Sequence, residues 1–113
     1  MAVKMKRIYE PHSNDDGYRI LTDRLWPRGI KKEAIDKWLK NVAPSTELRK
    51  WFNHEPEKWP EFLARYSEEI GNSPALEELK ADIKIHKIIT LLYSARDEQR
   101  NQAVALMKIL DIS

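Results

Sequence analysis

"KIITLLY", residues 87–93, is a continuous β-branched and aliphatic run closed by an aromatic residue. Runs of this length and composition belong to strands buried on both faces, which are central strands of a covered sheet. Directly after it, "SARDEQRNQAVALMKIL" (94–110) places Ala103, Leu106, Met107 and Leu110 on one helical face. A buried strand running into an amphipathic helix is half of an α/β unit. Ser94 and Asp97 stand at capping-box spacing, which predicts that this helix begins sharply and aims free N–H groups at the strand end.

Working toward the N-terminus, Ser73-Pro74 supplies an N-cap with proline at the first helical position, opening a helix with Leu76, Leu79 and Ile83 inward. "EKWPEFLARYSEEIG" (57–71) carries Trp59, Phe62, Leu63, Tyr66 and Ile70 on one stripe, with Gly71 ending the helix. Ser45 caps a short helix bearing Leu48, Trp51 and Phe52. From Lys32 the spacing of Ile35, Trp38, Leu39 and Val42 predicts another helix, stopped by Ala43-Pro44. Two further strands precede it, Val3 to Tyr9 and Tyr18 to Thr22, joined by the turn-rich "EPHSNDDG" (10–17). The expectation is an α/β fold: a small, mostly parallel sheet of about three strands covered by helices, Rossmann-like, with residues 1–113 forming a single domain. The strands starting at Tyr18 and Ile88 are expected to be parallel neighbours, and the direction of the first strand is left open.

Composition narrows the function. Apolar residues make up 42% of the chain and charged residues 34%, which suits a globular domain. Lysines and arginines number 20 against 18 acids, a net +2 without the global field of a non-specific nucleic-acid binder, so a basic patch has to be local. There is no cysteine, which excludes a disulfide scaffold, a thiolate nucleophile and thiolate metal sites. His12, His54 and His86 lack metal-ligand spacing, and no P-loop, GxGxxG or GxSxG calls for a cofactor. With neither a signal-like segment nor a membrane-spanning run, the chain reads as cytoplasmic.

In open α/β sheets ligands sit beyond the carboxyl ends of the strands. Here those ends are "DRLWPRG" (23–29) and "SARDEQRNQ" (94–102). Arg24 and Arg28 offer guanidinium forks to a phosphate or carboxylate, and Trp26 offers a stacking face. Ser94, Arg96, Asp97 and Asn101 would face them on the same rim. Asp16 and Asp97 are the candidate general acid/base groups, because a carboxylate beside arginines stays ionised. The competing reading makes Asp23-Arg24 and Arg96-Asp97 structural ion pairs, Trp26 a lid on the core and Asp15-Asp16 a turn.

The segments "YEPHSNDDGYRILTDRLWPRGIKKE", "WLKNVAPSTELRKWFNHEPEKWPEF" and "TLLYSARDEQRNQAVAL" closely resemble, over nearly the whole chain, the YeaO-like proteins, a branch of the family called domain of unknown function 488. The resemblance implies an α/β fold and recurring positions that are here Asp16, Gly17, Arg19, Asp23, Arg24, Trp26, Pro27, Arg28, Gly29, Pro44, Ser45, Arg49, Trp51, Tyr93, Ala95, Arg96, Asp97 and Asn101. Wider relatives carry cysteines near the position held here by Ser94. The resemblance brings no activity with it, and it adds Arg49 to the rim.

Two function classes follow. The first is a ligand-binding domain or enzyme whose arginine-lined pocket, drawn from Arg19, Arg24, Trp26, Arg28, Arg49, Ser94, Arg96 and Asn101, holds a small phosphate- or carboxylate-bearing molecule. The second is a nucleic-acid or protein interaction module with Arg19, Arg24, Arg28 and Arg49 on a flat basic face beside Trp26. A concave pocket distinguishes the first, salt-dependent nucleic-acid binding the second.

Overall fold

In the computed structural model, which describes residues 2–111, the run that opens the sequence reading is strand β4 (Ile88–Tyr93), and every residue from Ile89 to Tyr93 is buried. It lies between β1 (Ala2–Arg7) and β2 (Tyr18–Leu21), with the two-residue β3 (Lys37–Trp38) outside β2, giving the order β1-β4-β2-β3. All pairings are parallel. The sheet thus has four strands where about three were expected, and the first strand runs with the others. Four helices, α1 (Thr46–Phe52), α2 (Trp59–Ile70), α3 (Pro74–Ile85) and α4 (Gln102–Ile109), complete the fold.

The pleat of β4 divides its side chains between two cores. Ile89, Leu91 and Tyr93 join Ile20 and the buried faces of all four helices in the main cluster. Leu92 turns the other way, with Leu21 and Ile8, onto a smaller cluster covered by Trp26, Ile30 and Ile35. The aromatic stripe of α2 packs as expected: Phe62 sits 4.6 Å from Phe52 and 5.6 Å from Tyr66, ring centre to ring centre. The caps at Ser45 and Ser73 also form, each hydroxyl accepting the backbone N–H three residues on, from Leu48 and Leu76, at 3.1 Å.

Two sequence expectations fail. The helix from Lys32 to Val42 is replaced by two 3₁₀ turns, Lys32–Ala34 and Lys40–Val42, flanking β3. The free edge of β2 captures this segment: the backbone N–H groups of Asp36 and Leu39 donate to the carbonyls of Arg19 and Leu21 at 2.9 and 3.0 Å. Of the residues in that apolar spacing, Trp38 lies in β3 and Val42 in the second 3₁₀ turn, so pairing with β2 overrides the helical pattern. The last helix begins at Gln102, not at Ser94. Asn101 caps it, its Oδ1 accepting the Val104 N–H at 3.0 Å while its Nδ2 donates to the Asp97 carbonyl at 2.9 Å. Asp97 instead closes a turn within residues 94–101, accepting the N–H groups of Gln99 and Arg100.

Candidate functional site

Parallel pairing brings the carboxyl ends of β1, β2 and β4 to one rim. Register places Leu21 opposite Leu92, and the Thr22 N–H donates to the Leu92 carbonyl at 3.0 Å, so Asp23 emerges beside Ser94. Arg7, at the end of β1, steadies the neighbouring loop by donating its Nε to the carbonyls of Ser94 and Ala95 at 3.2 and 3.1 Å. Above this rim lies a cleft of about 560 Å³, walled by residues 23–28, by the segment from Ala43 through α1 to His54, and by Ser94, Ala95 and residues 100–102.

Its charge is lopsided. Arg24, Arg28, Arg49, Lys50 and Arg100 border it, against the single carboxylate of Asp23. Among the described residues, Arg24, Arg28, Arg49 and Lys50 have no carboxylate partner; Arg100 meets Asp97 at 3.5 Å. Arg24 is held in place by main-chain carbonyls, Nε on Pro44 at 3.2 Å and Nη2 on Ala43 at 3.0 Å, which ties the loop leading into α1 to the end of β2. Arg28 and Arg49 are exposed at the opening.

Asp23 is the acidic side chain on the lining, and it is half-buried. Its Oδ1 accepts from the amide Nε2 of Gln102. Burial pushes its carboxyl above the usual range, while hydrogen bonding from the Ser94 side chain and backbone and from Gln102, together with the Arg49 charge, pulls in the opposite direction.

The structure divides the expected site residues. Arg24, Trp26, Arg28, Arg49, Ser94 and Asn101 all border the cleft. Trp26 is committed structurally as well: its Nε1 donates to the Ile30 carbonyl at 2.8 Å and its ring meets Trp38 edge-on at 5.3 Å. Arg19 and Asp16 do not line the cleft. Asp16 precedes β2 at the amino end of the sheet, where its carbonyl accepts from the Thr90 hydroxyl, and its carboxylate is buried between Arg19 and Lys6. Burial alone would raise that carboxyl, but hydrogen bonds from Lys6, the Ser13 backbone and Arg19 outweigh it and hold the pKa at about 2. It is the buried counter-ion of Arg19 and Lys6. Arg96 and Asp97 also lie outside the cleft lining, displaced because residues 94–101 form a loop in place of the expected first helical turns. Arg100 takes the position on the wall that Arg96 was expected to hold.

Sequence reasoning passed over Asp23, Lys50, Arg100 and Gln102. Asp23 stands in "DRLWPRG" and among the recurring family positions, and the competing reading pairs it with Arg24. In the fold these neighbours part company, Asp23 to Gln102 and Arg24 to the carbonyls before α1. Among the described residues, no group of three or more His, Asp or Glu side chains could hold a metal ion, and no helix is long and apolar enough to cross a membrane.

A family model described as "Inactive DUF488-N3 subclade" matches residues 2–112. The chain is 45% identical over 108 residues to the uncharacterized protein YeaO of Escherichia coli strain K12, covering 94% of each. It is 41% identical over 111 residues to the uncharacterized protein Rv3073c of Mycobacterium tuberculosis strain H37Rv, covering 96% of this chain and 93% of the relative. No solved structure is significantly similar to it. Matched from one end to the other by the same family, with the cluster "DRLWPRG" at its cleft, the chain belongs to the DUF488-N3 subclade described as inactive.

Proposed function

We propose that the cleft binds a small molecule bearing a phosphate or carboxylate group, and that the protein works by holding this ligand. The observation that carries the reading is the gathering of Arg24, Arg28, Arg49 and Lys50 around one concavity without a carboxylate partner among the described residues. Unpaired cations brought together repel one another, and an anion relieves that repulsion while receiving forked N–H donors. Binding without turnover is in keeping with the family description, and with the position of Asp16 and Asp97 away from the cleft lining. Concavity favours a small ligand over the flat basic face of a nucleic-acid module.

Thermal melts test this with wild type, Arg28→Ala and Arg49→Ala, with and without millimolar phosphate at constant ionic strength. Wild type should gain several degrees by mass action, about 2.7 kcal/mol at a hundredfold excess over Kd. Each variant should melt within about 0.5 kcal/mol of wild type in the absence of phosphate, as expected for exposed side chains, and lose most of the phosphate response. Absence of a phosphate response in wild type, with Arg28→Ala strongly destabilised, would make "DRLWPRG" a structural clasp. Salt-dependent binding of single-stranded or duplex nucleic acid without a phosphate response would favour the interaction module.

A further inference from the structure

We propose that the anion held in the cleft is the phosphate of an aromatic compound, whose planar ring stacks on Tyr9 while the phosphate rests on Arg28 and Arg49. The proposal rests on the anion reading above and specifies what the phosphate is attached to. Five large apolar side chains are exposed among the described residues, and two of them, Tyr9 at 45% and Leu25 at 68%, stand on the lining of this one cleft. Neither belongs to a core cluster, so both are available to an apolar part of a ligand.

The ring of Tyr9 is also held in place. Its hydroxyl donates to the Arg28 carbonyl at 3.1 Å, and the Arg7 guanidinium lies 4.9 Å from the ring centre. Arg7 is itself tied to the carbonyls of Ser94 and Ala95. The turn that carries Tyr9 is closed twice, by the Arg7 N–H donating to Glu10 Oε2 at 2.8 Å and by the Glu10 N–H donating to the Arg7 carbonyl at 2.9 Å. A ring fixed before binding loses little freedom when a ligand arrives, and its flat face matches another aromatic ring better than a flexible chain. The tryptophan and phenylalanine rings of the lining are already engaged: Phe52 and Phe62 are buried in the core, and Trp26 meets Trp38 edge-on. Because Tyr9 is bonded to the main chain of Arg28, a group attached directly to a phosphate on that arginine comes within reach of the ring.

Titration calorimetry of the intact protein tests this with two pairs: phenyl phosphate against cyclohexyl phosphate, alike in size but only one planar, and adenosine 5′-monophosphate against ribose 5-phosphate. In at least one pair the aromatic member should bind about 3- to 30-fold more tightly, the usual worth of stacking on an aromatic side chain. A preference in the first pair points to a simple aryl phosphate, and one in the second to a nucleotide. Tyr9→Leu, which keeps the apolar bulk, should bring the ratio close to one, whereas Tyr9→Phe, which keeps the ring, should retain most of it. Arg49→Ala should weaken both members of a pair alike. Equal binding of both members of both pairs by wild type, an unchanged ratio in Tyr9→Leu, or a ratio lost as fully in Tyr9→Phe as in Tyr9→Leu, overturns this inference and leaves the anion reading intact. No binding of any of the four phosphates overturns both.

Discussion

Arg19 and Asp16 show how a charged pair can be invisible as structure in the sequence. Both are almost completely buried, and Arg19 also donates its Nε to the Ala34 carbonyl at 2.7 Å. Removing one partner strands the other charge in the interior, so Asp16→Ala should lower stability by about 3–5 kcal/mol in urea melts at pH 7. The pH dependence has a definite sign. Because the folded carboxyl is held near 2, below its unfolded value of 3.8, its contribution is complete above pH 4 and is lost as pH falls through 2. That contribution is on the order of 2 kcal/mol, and stability curves of wild type and Asp16→Asn should converge only at the acid end. The adjacent Gly17 has φ +66°, and a Cβ there would lie 2.3 Å from the Ile88 carbonyl oxygen. Gly17→Ala should therefore cost at least about 2 kcal/mol, from left-handed strain plus displacement of the start of β4. An unchanged midpoint for it in the same melts would contradict the packing of this turn on β4.

At the scale of elements, the segment from Ser94 to Asn101 decides what the cleft can be. Ser94, Ala95, Arg100 and Asn101 of this segment line the cleft, and α4 starts only at Gln102. Asn101 delays the start, and its side chain ties the cap to the Asp97 carbonyl. Asn101→Ala should cost about 1–2 kcal/mol, at the upper end for an N-cap because the residue is buried. It should also loosen the loop that carries Arg100, so amide hydrogen exchange in residues 94–104 should accelerate more than in α2. Equal protection in both segments would show that the loop does not depend on the cap. β3 illustrates the opposite case, in which an element exists because its neighbour has an edge to offer. Lys37 then anchors it to α3 through Asp82 at 2.8 Å and Glu78 at 2.6 Å.

Across the whole molecule, β4 organises everything else: it pairs on both edges, feeds both cores and ends at the cleft floor. Leu91 is fully buried at its centre. Leu91→Asp places an unpaired carboxylate there at a cost of several kcal/mol, comparable with the total stability of a domain this size, and should yield insoluble or unfolded protein. A soluble variant with a cooperative melt would contradict the central position of this strand. The Arg28→Ala melt belongs to this scale as well, because cations from the loop after β2, from α1 and from the loop before α4 share one cleft.

The chain by itself determined whatever depends on local pattern. Period and composition identify β4 as a central strand, the stripe Phe62-Tyr66-Ile70 as a buried helix face, and Ser45 and Ser73 as caps, because burial and capping act within a few residues of chain. The same reasoning placed Arg24 and Arg28 at a strand end where a cleft forms. Tertiary structure decided the rest. The direction of β1, the capture of residues 37–38 by the β2 edge, and the late start of α4 depend on partners distant in sequence. So do the separation of Asp16 from the cleft and the place of Asp23 on its lining. Charge pairing is the clearest instance: a sequence shows which ions are neighbours along the chain, but burial and packing choose which ones meet. Arg19 thereby became a buried counter-ion of Asp16, and Asp23 turned from its chain neighbour Arg24 to Gln102.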